Sequence, residues 1–229
     1  MIENFGNQNK IIKKDNLIID LGLRDYKEVW DFQHNLVDKR KKGEIIDVLI
    51  LVEHPHVITL GRKGKFENIL TNQIPVYRIE RGGDVTYHGP GQLVGYLILN
   101  LEESKLDIHN LIRGLEETLI QTVSNFGINA ERIDGHAGVW VKGKKLASIG
   151  IAIDHWVTYH GFALNVNTDL NYFMLIKPCG LDGKIMTSME KILGKKVEMN
   201  DVKERLKESF SKVFHRRLIP FDNFKMITN

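Results

Sequence analysis

Apolar positions along the first hundred residues fall into one helical stripe followed by short runs broken by Pro and Gly. Tyr26, Val29, Trp30, Gln33, Leu36 and Val37 recur at helical spacing over 25–41, and Gly43 supplies a stop. Residues 45–52, 56–61, 76–81 and 96–101 are short β-rich runs. A second helical stripe starts after Asp107 as N-cap, carries Ile108, Leu111, Ile112, Leu115, Leu119 and Val123, and is expected to end at Gly127. The sequence GVWV, a turn at Lys142–Gly143 and KLASIGIAI predict a hairpin, with 157–166 as the next strand. Near the C-terminus, Asn200 is placed to cap a helix bearing Val202, Leu206, Phe210, Val213 and Phe214. Strands mixed with a few long helices, without strict alternation, predict an α+β fold whose sheet is mixed and largely antiparallel with flanking helices.

Composition narrows the class. Hydrophobic residues make up 42% and charged residues 27% of 229 positions, which suits one continuous domain over 1–229, with 1–15 as a flexible polar extension. A net charge of +3 is too mild for a dedicated nucleic-acid binder and is compatible with transient docking of an acidic protein. The most apolar stretch, IIDVLILV, is too short to span a bilayer, and no signal-peptide pattern opens the chain. A single cysteine excludes an internal disulfide, so the cytosol is the expected compartment. No CxxC or HExxH spacing exists, so no metal is expected.

Three segments carry chemistry. RGGDVTYHGPGQ, from Arg81, concentrates glycine around Tyr87 and His88; it is either a tight connection or a place where backbone approaches a ligand. It is neither a Walker loop nor a dinucleotide fingerprint. Lys142, Lys144 and Lys145 crowd one turn, where lysines are ordinarily solvated. Cys179 lies between Pro178 and Gly180; a lone cysteine is either buried and inert or, on a sharply shaped loop, a nucleophile.

Together, EHPHVITLGR, RGGDVTYHGPGQ, KLASIGI, HGFALNVN and PCGL, in that order, resemble the lipoyl(octanoyl) transferases. The resemblance implies a biotin/lipoate protein ligase-like fold and transfer of octanoyl from octanoyl-acyl carrier protein to a lipoyl-domain lysine, without a cofactor. It implies as acceptors the lipoyl domains of 2-oxoacid dehydrogenases and the glycine cleavage H protein. Cys179 would be the acyl-thioester nucleophile and Lys145 its partner, as general base or as electrostatic activator. The acyl pocket would be lined by Arg81, Gly82, Gly83, Asp84, Val85, Thr86, Tyr87 and His88, by Ser148, Ile149 and Gly150, and by Gly161, Phe162 and Ala163. Val57, Leu146, Ile149 and Phe162 are candidates for an acyl tunnel, and N–H groups at 81–83 or Gly180 for an oxyanion site. The rival reading is an ATP-dependent lipoate or biotin ligase of the same fold, which has no need of the PCG element.

Overall fold

The computed structural model describes residues 14–177 and 183–221. In chain order its elements are β1 (Lys14–Leu23), α1 (Tyr26–Lys41), β2 (Val48–Glu53), β3 (Val57–Leu60), β4 (Val76–Arg78), β5 (Val85–His88), β6 (Gln92–Ile98), α2 (Leu101–Ser104) and α3 (Ile108–Ser124). There follow β7 (Glu131–Ile133), β8 (His136–Val141), β9 (Lys144–Asp154), β10 (Val157–Asn165), α4 (Met189–Leu193), α5 (Met199–Val213) and β11 (Arg216–Pro220).

The larger sheet has the order β11-β1-β2-β6-β10-β9-β8-β7, and a smaller one the order β4-β3-β5. Among the described residues of the larger sheet, only β1 pairs in parallel, with β11 and with β2; every other neighbour is antiparallel. The central strands are buried on both faces, which is why 48–52 is a continuous apolar run. Their side chains alternate between two cores. Leu49, Leu51, Leu93 and Leu97 face α3 and α5, while Val48, Ile50, Val52, Val94 and Tyr96 face α1. A slip of one residue would exchange these sets, so the register is strongly specified.

The helices form where their caps and stripes direct. Asp25 accepts from Lys27 N and Glu28 N at the start of α1, and Asp107 accepts from Asn110 N at the start of α3. The helix α5 starts earlier than expected: Glu198, not Asn200, is its N-cap, its carbonyl accepting the first helical hydrogen bond from Val202 N at 3.2 Å. The helix α3 ends at Ser124, ahead of Gly127, whose φ of +77° turns the chain out. Four strands were not foreseen: β1, β5, β7 and β11. Lys14 and Asp15, expected in the extension, pair with Arg216 and Arg217, so β1 begins there. Its partner β11 lies some two hundred residues away in sequence.

Candidate active site

A cleft opens between the two sheets. Its walls are the first residue of α1 (Tyr26), the loop 81–84 with the start of β5, strands β6, β8, β9 and β10, and residues Ile185 and Met186. Sixteen positions were expected at the site. Of these, 81–86, His88, Lys145, 148–150 and 161–163 all line the cleft, and Cys179 lies outside the described residues. Tyr87 is the exception. Its ring stacks on Tyr172 at 5.1 Å and its hydroxyl meets His56 Nδ1 at 2.7 Å, so it builds the smaller sheet's own core. Of the tunnel candidates, Ile149 and Phe162 line the cleft, while Val57 and Leu146 are core.

Glycine makes the close approaches possible. Gly82 N donates to Ile151 O at 3.0 Å, laying the loop on β9. That N–H is therefore spent and not available for an oxyanion. A Cβ on Gly61 would come within 2.5 Å of Gly83 O, so the loop also seats on the end of β3. Arg81, almost fully buried, donates through Nη2 to Thr59 O (2.8 Å) and Thr59 Oγ1 (2.9 Å). Asp84 stiffens the same loop by accepting from Val85 N at 2.7 Å and from Asn68 Nδ2 at 3.0 Å.

A buried polar relay crosses the site behind this loop. Thr187 N donates to Lys145 O (2.9 Å), and Thr187 O accepts from Asn165 Nδ2 (3.0 Å). Asn165 Oδ1 accepts from Gln92 Nε2 (2.9 Å), and Gln92 Oε1 meets His88 Nδ1 at 2.7 Å. Burial pushes His88 down to about 3 and His54 down to about 4, and burial lowers His160 as well. His160 adopts φ +58° within β10, a strained backbone for a residue other than glycine. Its N–H is taken by Gln33 Oε1 at 2.8 Å, and Nε2 lies 3.3 Å from Glu80. Burial alone would raise Glu80, but the hydrogen bond to His160 and the nearby His34 bring it to about 2.

The three lysines of the turn separate cleanly. Lys142 and Lys144 are exposed, and Lys144 Nζ donates to Lys184 O at 3.0 Å. Lys145 alone reaches the cleft, its Nζ 5.1 Å from the centre of the Trp140 ring. Met186 is tied to the same place, since it forms a parallel bridge with Lys145.

Residues 25–211 match the family described as the lipoyl protein ligase A/B catalytic domain. The chain belongs to that family. It is 42% identical to an octanoyltransferase of Christiangramia forsetii, covering 90% of this chain and 99% of that one. To an octanoyltransferase of Solibacter usitatus it is 47% identical, with 87% and 93% covered. In fold it is similar to a lipoate-protein ligase A bound with ATP, at TM-score 0.71 and 16% identity, covering 94% of this chain and 92% of that one. The likeness extends more weakly to the biotin protein ligase of Aquifex aeolicus, at TM-score 0.51 and 12% identity, with 89% and 70% covered. The expected α+β, ligase-like architecture is thus the observed one.

Residues that sequence reasoning did not place here are Tyr26, Val94, Tyr96, His136, Trp140, Ile185 and Met186. His160 had entered only as the first residue of HGFALNVN. An aromatic on an apolar stripe carries no signal that separates a cleft wall from a core. Among the described residues, no cluster of three or more His, Cys, Asp or Glu could hold a metal ion, and no helix is long and apolar enough to cross a membrane.

Proposed function

We propose that this protein is an octanoyltransferase that moves octanoyl from acyl carrier protein to a lipoyl-domain lysine in the cytosol, through a thioester on Cys179. The observation that carries this reading is the gathering of Lys145 with the 81–86, 148–150 and 161–163 segments around one cleft. It is supported by the identity to octanoyltransferases across nearly their full length.

In the first half-reaction the Cys179 thiolate attacks the donor's thioester carbonyl, and the carrier thiol departs with a proton. In the second, the acceptor amine attacks the enzyme thioester, an amide forms, and the Cys179 sulfur leaves. A thioester replaces a thioester and then an amide replaces it, so no nucleotide is needed. The unperturbed thiol near pKa ~8.5 is mostly protonated at neutral pH, and a cation beside it favours the reactive anion. Ile149, Phe162, Ala163 and Val94 supply apolar surface for the alkyl chain.

Incubation with octanoyl-acyl carrier protein followed by intact mass measurement tests the reading. One hydroxylamine-labile octanoyl adduct should form on Cys179 without ATP, and Cys179→Ala should lose both adduct and transfer. Full transfer by Cys179→Ala, or an absolute requirement for ATP and free octanoate, would place the protein with the ligases instead.

A further inference from the structure

Lys145 stands directly opposite Trp140 across β8 and β9, and a bulge puts it there. Gly138 pairs with Ser148 and Val139 with Ala147, but Trp140 pairs with Lys145 and Val141 with Lys144. Leu146 is therefore an extra residue on β9. An extra residue shifts the side-chain alternation by one. In a regular ladder Trp140 would oppose Leu146, and Lys145 would leave the face that Ser148 and Gly150 share.

Two further features fix the lysine. A Cβ on Gly138 would stand 2.8 Å from Lys145 Cε and 2.4 Å from Ala147 O, so the missing side chain is the slot through which the lysine stem passes. Gly138 holds φ +130°, and its N–H donates at 3.1 Å to Glu116, a buried carboxylate of α3. Arg113 and Arg132 each pair with that carboxylate at 3.2 Å. The Trp140 ring is itself immobilised: it is 4% exposed, and its Nε1 donates to His136 O at 3.1 Å. Lys145 Nζ sits 5.1 Å from the ring centre, within the range in which a ring's negative face attracts a cation.

We propose that Trp140 is a positioning residue that holds Lys145 as an ammonium on its indole face, so that the lysine acts on Cys179 as a fixed positive charge and not as a neutral base. This rests on the Cys179–Lys145 reading above. The ring quadrupole attracts the charged amine and has little hold on the neutral one, so it favours the ammonium form. The slot at Gly138 removes the stem's freedom to swing away. Among the described residues, Arg81, Asp84, His88, His136 and His160 are the other charged or titratable groups of the cleft besides the phenols, and Glu116 lies behind Gly138.

Site-specific replacement of Trp140 by mono-, di- and tetrafluorotryptophan weakens the ring quadrupole while keeping the side chain's shape, so the variants fold. The readouts are the pH midpoint of iodoacetamide alkylation at Cys179, the chain's one cysteine, and kcat and KM. Each added fluorine should raise the midpoint, by about half to one unit over the series, with a roughly two- to tenfold fall in kcat and little change in KM. Trp140→Phe should retain most activity and Trp140→Leu the least. Lys145→Ala is measured in parallel and should raise the midpoint further than any fluorinated variant. A flat fluorotryptophan series beside a responsive Lys145→Ala overturns the role of Trp140 and leaves the dyad standing. If Lys145→Ala is flat as well, the dyad itself falls, and the proposal with it.

Discussion

His88 donates its Nδ1 proton to Gln92 Oε1 across 2.7 Å, and the rest of the relay dictates that direction. Gln92 Nε2 already serves two acceptors, Tyr87 O at 3.2 Å and Asn165 Oδ1 at 2.9 Å, so its oxygen must face the imidazole. The neutral ring therefore carries its lone pair on Nε2. His88 is among the residues lining the cleft, and burial holds its imidazole neutral there.

The first prediction follows from that. His88 is held near 3 and His54 near 4, chiefly by burial, whereas an unfolded histidine titrates at about 6.5. The unfolded chain then binds more protons below that pH, so stability falls as pH drops from about 6.5 toward the folded values. Glu80, held near 2, acts in the same direction below about 4.5. Tm should decline steadily between pH 7 and 4.5, and His88→Asn should flatten the slope. A Tm independent of pH over that range would contradict the assignment.

The second prediction separates the lysines. Lys145→Ala should lose at least ~100-fold in transfer rate, the lower end for a positioned group acting on a proton or charge. Lys142→Ala and Lys144→Ala, at exposed positions, should stay within a few-fold. Equal losses at all three would point to docking as the origin and not to the chemistry.

The sequence pattern made the helices α1 and α3, the β8–β9 hairpin and most of the cleft legible, because local signals write them. Asp25 and Asp107 cap as side chains near their own helices must, and the glycines of 81–83 announce a close approach wherever they occur. What was missed depends on partners far along the chain. Strand β1 is specified by pairing with β2 on one side and β11 on the other. Trp140 reaches Lys145 only through the extra residue Leu146, which no alternation count over 136–154 reveals. Tyr87 was placed in the cleft because its neighbours belong there, yet Tyr172 and His56 draw its ring the other way.

The third prediction concerns encounter with acidic partners. Arg62, Lys63, Lys65, Lys142 and Lys144 are all exposed, and the first three follow β3 next to the loop seat at Gly61. Such charges steer diffusion more than they fix the final complex. The apparent second-order rate should therefore fall as salt shortens the screening length to about 10 Å and below. Reversing Arg62 and Lys63 to Glu should lower the rate at low salt and leave little difference at high salt; an unchanged rate removes these residues from the approach path.

The fourth prediction uses two glycines that face each other's strands. Gly95 pairs with Phe162 across β6 and β10, and a Cβ on Gly95 would lie 2.1 Å from the end of the Phe162 ring. A Cβ on Gly161 would instead lie 2.1 Å from Gly95 O, a backbone atom. The two substitutions should thus fail differently. Gly161→Ala forces the strands apart and should lower Tm markedly, with all donors affected alike. Gly95→Ala asks only a ring to move, and Phe162 already lines the cleft, so the displaced ring would take up the cleft space that the proposed function assigns to the alkyl chain. Each methylene lost from an apolar site changes discrimination by roughly tenfold or more. Gly95→Ala should therefore remain folded and shift preference from octanoyl toward hexanoyl or butyryl donors, read as kcat/KM ratios in competition. An unchanged octanoyl preference in a folded Gly95→Ala protein would mean that Phe162 turns into the core and that the chain's end rests elsewhere.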